Sequence, residues 1–222
     1  MKSLSATSIK NFSVVRYLRV GILIGLLLPL LTQARAPEKV VVLGDSISAA
    51  YGMNMEQGWV HLWAQSLQDR AHIINASISG ETTAGGLARL PALLAQHQPD
   101  LVVIELGGND GLRGYPLTQL KQNLTQLVRL SQASGAKVAL VPMQIPPNYG
   151  EAYTRRFYDT FAQVAAAQDA TLTPFILEDV ALSPDLMQND GIHPTAAAQP
   201  LLLAKLEATL NSMLQATSTS AR

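Results

Sequence analysis

A serine near one end of the chain and a histidine near the other carry its clearest chemistry. Ser46 stands in Gly44-Asp45-Ser46, directly after the apolar run Val40–Leu43. That placement puts a hydroxyl at a strand-to-helix turn, exposed to a cleft and near backbone N–H groups that could hold an anion. A helix N-cap serine would have the same surroundings. A serine hydroxyl is a poor nucleophile until a base takes its proton, and the base needs its tautomer and orientation fixed. Asp190-Gly191-Ile192-His193 offers both groups, because an acid three residues before a histidine can meet the imidazole within one turn. Pro194 disfavours the helical region for His193 and helps to hold it extended. The competing reading is a surface turn that contains a histidine. Gly107-Gly108-Asn109-Asp110 adds an amide side chain after another apolar run. Asn and Asp close turns readily, but the Asn109 amide with backbone N–H groups at Ser46 and Gly80 would also form a donor set for an oxyanion. Each such donor is worth about 10²–10³-fold in rate. His61, His72 and His97 fall in a predicted helix, at a strand start and at a helix end, and read as structural.

These groups lie far apart in sequence, so regular elements must bring them together. Short β-rich runs occur at Val40–Leu43, His72–Ala76, Leu101–Glu105 and Lys137–Val141, with a weaker one at Thr171–Phe175. They are nearly all apolar rather than alternating, as expected of strands buried on both faces. Between them lie helix-length segments at Trp59–Arg70, Thr83–Gln96, Leu117–Ser134 and Tyr153–Gln168, with a last one within Thr195–Leu214 that Pro200 interrupts. The alternation predicts one α/β domain with a doubly wound parallel sheet, in which ligands bind outside the carboxyl ends of the strands. Gly-Asp-Ser, Gly-Gly-Asn-Asp and Asp-x-x-His all fall there. Gly80-Glu-Thr-Thr-Ala-Gly85-Gly86 superficially resembles a phosphate loop, but Gly86 stands where that loop needs Lys. No Gly-x-Gly-x-x-Gly follows a strand either, so nucleotide binding is a poor reading.

Composition narrows the class further. The 222 residues are 48% hydrophobic and 14% charged, which excludes a disordered chain or a coiled coil. Lys and Arg number 16, as do Asp and Glu, but Lys2, Lys10, Arg16, Arg19 and Arg35 fall in residues 1–36, which hold no acid. The body is therefore mildly acidic and lacks the basic excess of a nucleic-acid binder. Without cysteine there is no disulfide, thiolate metal site or Cys nucleophile. Residues 1–36 read as a secretory signal: a basic start, an apolar run from Val20 to Leu31, then Ala34-Arg35-Ala36 at the spacing of a cleavage site. The apolar run is short of the roughly 20 residues a bilayer crossing needs. An uncleaved anchor is the alternative. The domain is expected over 37–214 and a frayed tail over 215–222.

The order of the blocks is similar to that of the SGNH, or GDSL, hydrolase superfamily. The stretches Leu43–Gly52, Asn75–Pro91, Glu105–Gly114 and Gln188–Pro194 resemble its branch of periplasmic thioesterases, lysophospholipases and arylesterases. The resemblance implies a three-layer α/β/α sandwich around a five-stranded parallel sheet. It implies Ser46 as nucleophile, His193 as general base and acid, and Asp190 as the orienting carboxylate. Ser46 N–H, Gly80 N–H and the Asn109 side chain are then the oxyanion hole, with no metal or cofactor. A small acyl ester or thioester is the implied partner, with at most transient membrane contact, no nucleic acid and a monomeric chain. Leu112, Tyr115, Ile145, Pro146 and Tyr149, in loops beside the expected cleft, could line a groove for an acyl chain. Two rivals stay open. A carbohydrate acetylesterase would prefer acetyl groups on sugars, and a non-catalytic periplasmic binding protein would retain ligand without turnover. For the leader, N-terminal sequencing of exported protein should begin at Pro37 or at Arg35; a start at Met1 would indicate the anchor.

Overall fold

Val40, Val41, Val42 and Leu43 are all fully buried, as are Val102, Val103 and Ile104, so strands built from them must be covered on both faces. The computed structural model describes residues 36–215. The expected leader and C-terminal tail fall outside the described residues except at Ala36 and Gln215. Five strands, β1 (Glu38–Gly44), β2 (Ala71–Asn75), β3 (Leu101–Glu105), β4 (Lys137–Leu140) and β5 (Thr171–Leu172), form one sheet in the order β2-β1-β3-β4-β5. Every pairing is parallel. The helices are α1 (Trp59–Leu67), α2 (Thr83–His97), α3 (Gly108–Leu112), α4 (Leu117–Ala133), α5 (Glu151–Gln168) and α6 (Gln199–Gln215).

From β1 the chain steps to one side for β2, then back across β1 to β3 and onward. Parallel crossovers are right-handed, so this reversal puts α1 on one face and α2 on the other. Accordingly α1 packs with α6, whereas α2, α4 and α5 pack in a row. The result is the expected α/β/α sandwich. β1 lies at the reversal, between β2 and β3, where the carboxyl ends of such sheets open a crevice. Ser46 follows β1, and Asn109 follows β3.

Four local differences from the sequence reading have physical causes. β5 stops at Leu172 rather than Phe175, because Pro174 has no N–H to offer a ladder; Thr173 N–H still reaches Leu140 O at 3.0 Å. α6 begins at Gln199 and carries Pro200 in its first turn, where the missing N–H has no intrahelical role. α3 is not expected from the sequence, since two glycines in five residues make a poor helix former. Finally, Ser46 does not open a helix. A single turn closes there, Ala49 N–H to Asp45 O at 3.0 Å and Tyr51 N–H to Ser46 O at 3.1 Å, and α1 begins only at Trp59.

The core on the α2/α4/α5 side is anchored by Phe157 and Phe161, fully buried, edge-to-face at 5.5 Å. On the α1/α6 side Trp59 and Trp63 fill the same role. Phe161→Ala should lower unfolding free energy by about 3–5 kcal/mol, the cost of a large buried aromatic plus its cavity, as read from urea denaturation.

Candidate active site

The site begins with a close approach of two backbones. Gly44 at the end of β1 is in register with Glu105 at the end of β3. A Cβ on Gly44 would sit 2.7 Å from Glu105 Oε2, so only glycine admits the carboxyl there. Glu105 Oε2 accepts from Ser48 Oγ at 2.6 Å and Asp45 N–H at 3.2 Å. Trp59 Nε1 donates to Ser48 Oγ at 3.2 Å, and Asn75 Nδ2 to Ser48 O at 2.8 Å. These bonds pin the turn on which Ser46 stands, 8% exposed.

His193 reaches this turn from the other end of the chain. Its Nε2 lies 2.8 Å from Ser46 Oγ, and its Nδ1 lies 2.7 Å from Asp190 Oδ2. The other Asp190 oxygen accepts the N–H groups of Ile192 (2.9 Å) and His193 (3.0 Å), closing the loop on itself. Burial pushes the Asp190 carboxyl upward, but the N–H of His193, its ring and the N–H of Ile192 outweigh this and lower it to about 2. Asp190 therefore stays ionised across neutral pH, ready to face a protonated imidazole.

Asn109 stands on α3 at the floor of the same cleft, its Nδ2 donating to Asp45 Oδ2 at 3.1 Å. Asp110 beside it is buried and accepts from both the N–H (2.9 Å) and the hydroxyl of Thr83, which ties α3 to the first turn of α2. Gly80 lies on the exposed loop before α2, where Arg113 Nη2 donates to its carbonyl at 3.0 Å; it is not among the cleft's lining residues. The structure thus brings Ser46, Asp190, His193 and Asn109 to one cleft, with Gly80 on a neighbouring loop. His61, His72 and His97 lie in α1, β2 and the end of α2, off that cleft.

A model of the GDSL-like lipase/acylhydrolase family matches residues 42–200. Esterase TesA of Pseudomonas aeruginosa is 53% identical over 192 residues, which cover 85% of this chain and 96% of that protein. The chain belongs to the GDSL hydrolase family. Thioesterase 1/protease 1/lysophospholipase L1 of Escherichia coli is 46% identical over 178 residues, 80% of this chain and 86% of that one. Among solved structures, the psychrotrophic esterase EstA from Pseudoalteromonas sp., inhibited by monoethylphosphonate, superposes with a TM-score of 0.77 at 46% identity. It spans 80% of this chain and 99% of its own. This GDSL hydrolase is accordingly an esterase acting on acyl esters.

The cleft of the hydrolase has a volume of about 400 Å³. Leu112, Ile145 and Pro146 line it, as the sequence suggested. Tyr115 and Tyr149 do not. Tyr149 hydroxyl donates to Leu112 O at 2.8 Å and Tyr153 hydroxyl to Tyr115 O at 3.2 Å, so Tyr149 and Tyr153 brace the segment 112–115. The opposite wall, missed in the sequence, comes from the irregular segment after β5: Phe175, Leu177, Leu182, Met187 and Ile192. Leu182 stands 95% exposed at its rim. Among the described residues no group of His, Asp and Glu is arranged to hold a metal ion.

Two carboxyls beside the Ser46 turn are out of the ordinary range. Burial raises Asp45 to about 6, against the opposing pull of the Ile47 N–H, His193 and Asn109. Burial and the neighbouring Asp45 charge push Glu105 well above its usual value. A carboxyl raised in the folded state binds its proton more tightly there than when unfolded. Its contribution therefore falls as pH rises from about 4 to about 6. Asp45→Asn should remove this loss, so its stability relative to the parent should rise across that window in urea titrations at fixed pH steps. A constant difference would mean Asp45 is not so shifted.

Proposed function

We propose that Ser46 attacks the acyl carbonyl of esters and thioesters while His193 takes its proton, forming an acyl-enzyme that water then clears by the same route. The observation that carries this reading is the continuous chain Ser46 Oγ–His193 Nε2 at 2.8 Å and His193 Nδ1–Asp190 Oδ2 at 2.7 Å. Asp190 holds the tautomer in which Nε2 is free to accept, and it stabilises the imidazolium once formed. His193 then returns the proton to the leaving alcohol or thiol.

The carbonyl oxygen gains charge as Ser46 adds, and donors placed in advance stabilise it. Asn109 has two amide hydrogens. Its Nδ2 is already anchored on Asp45, so one hydrogen is committed and the other remains for the oxyanion. Ser46 N–H and Gly80 N–H are the other two donors in this reading. Inhibition of the relative EstA by a phosphonate is in keeping with such a hole, because tetrahedral phosphorus resembles the addition intermediate.

The substrates proposed are aryl esters, acyl-CoA-type thioesters and lysophospholipids, as the names of the relatives suggest. The apolar wall of Leu112, Ile145, Phe175, Leu177 and Ile192 suits an acyl chain rather than a sugar. Residues 37–214 are proposed as one catalytic domain, exported and freed of residues 1–36. No described helix is long and apolar enough to cross a membrane.

The test is hydrolysis of p-nitrophenyl esters from acetate to palmitate. Ser46→Ala should abolish turnover at every length, and Asn109→Ala should lower kcat by about 10²–10³-fold with KM little changed. The profile should extend beyond acetate. Unchanged activity in Ser46→Ala would sink the nucleophile assignment, and a sharp preference for acetyl groups on sugars would favour the acetylesterase.

A further inference from the structure

Tyr51 lies at the end of the nucleophile turn with 48% of its surface exposed, yet its ring rests on the imidazole of His193. The centroids are 4.3 Å apart and the planes tilted by 37°. An exposed tyrosine holds such a pose only if its backbone is fixed, and here it is fixed at both ends. Its N–H donates to Ser46 O at 3.1 Å, and its carbonyl accepts from Gln188 Nε2 at 2.8 Å. The residues on either side take left-handed backbone: Ala50 at φ +56 and Gly52 at φ +76. A non-glycine residue keeps that conformation only where its surroundings over-determine it. A Cβ on Gly52 would lie 2.5 Å from Gln188 Oε1, so the turn and Gln188 are fitted to each other.

Gln188 also grips the base. Its Nε2 donates to Pro194 O at 3.0 Å as well as to Tyr51, and its backbone N–H donates to His193 O at 2.7 Å. One residue, 137 positions from Tyr51, thus links the nucleophile turn to the backbone of His193 and of the residue after it.

We propose that Tyr51, clasped by Gln188, is a positioning residue for His193: its ring backs the imidazole and stabilises it as the cation formed during acyl transfer. The inference rests on His193 being the base. An aromatic face attracts a cation lying over it. The other groups acting on the imidazole are Asp190 at Nδ1, Ser46 at Nε2 and the buried Asp45, whose charge interacts with it. Asp190 and Ser46 bond the two ring nitrogens, which leaves the ring face to Tyr51. The Tyr51 hydroxyl has no part in the role, so phenylalanine should replace it.

The experiment measures kcat and KM on one p-nitrophenyl ester for Tyr51→Phe, Tyr51→Leu, Tyr51→Met, Gln188→Leu and the Tyr51→Leu/Gln188→Leu double variant. His193→Ala runs alongside, and thermal unfolding checks that each variant is folded. Tyr51→Phe should stay within about twofold of the parent, whereas Leu and Met lose about three- to tenfold in kcat with KM held. Gln188→Leu should lose a similar factor, and the double variant no more than the worse single one, because the two residues act as a unit. Leu or Met matching Phe would overturn the proposal, as would a loss confined to KM or losses that multiply in the double variant. If His193→Ala is dead while Tyr51→Leu is fully active, only the Tyr51 role fails. If His193→Ala retains full activity, the base assignment fails and this inference with it.

Discussion

The contact between Gly44 and Glu105 is the constraint from which the cleft is built. Parallel pairing of β1 and β3 sets the two residues opposite each other, and the missing side chain on one makes room for the carboxyl of the other. That carboxyl fastens the Asp45 N–H and the Ser48 hydroxyl, so the first residues beyond β1 turn rather than run on. The same register places the chain beyond β3. Asn109 therefore arrives beside Asp45 and bonds to it, and Ser46 and the amide line one cleft. An error of one residue in this pairing would move Ser46 and Asn109 relative to each other and flip the strand faces.

The arrangement is costly in stability. Asp45 and Glu105 are both buried; burial raises both carboxyls, and the Asp45 charge raises Glu105 further. The conflict is resolved by unequal protonation: Glu105, the more deeply buried, is driven toward the neutral acid, which leaves Asp45 as the anion that meets Asn109 and the imidazole. Strain and buried charge concentrated beside a reacting group are what a preorganised site requires.

Much of this was legible in the sequence because the relevant constraints are local. Strings such as Val40-Val41-Val42-Leu43 announce a strand covered on both faces, and an acid three residues before His193 announces a turn that can hold it. Pairings across the fold were not legible. Nothing in the residue order says that Asp45 will take the Asn109 amide, that Gln188 will reach the Tyr51 carbonyl, or that Gly108–Leu112 will wind into a helix; each depends on partners supplied by tertiary structure. Tyr115 and Tyr149 show the opposite error. Both stand in loops at the correct end of the sheet, but neither is among the residues lining the cleft, and Tyr149 spends its hydroxyl on Leu112 O. Periodicity carries no signal in irregular chain, which is why the wall at Phe175, Leu177 and Ile192 also went unseen.

That irregular wall accounts for a division of labour in the cleft. One side, formed by the ends of β1 and β3 with α3, is tied into the sheet and carries Ser46 and Asn109. The other side is the long segment after β5, held by short turns, by the bridge between Met187 and Pro194, and by Thr195 N–H on Leu186 O at 2.8 Å. This second side carries Phe175, Leu177 and Ile192 of the cleft lining together with the Asp190–His193 pair. Ser46 and Asn109 thus sit on the part of the fold tied into the sheet, while His193 shares its backbone with the apolar wall. Because β5 ends before Pro174, that backbone lacks the ladder that fixes the other side. Its order comes instead from bonds to neighbours, chief among them the Gln188 amide to Tyr51 and Pro194. The geometry at His193 is therefore set in part from outside its own segment, by the turn that carries Ser46 and Tyr51.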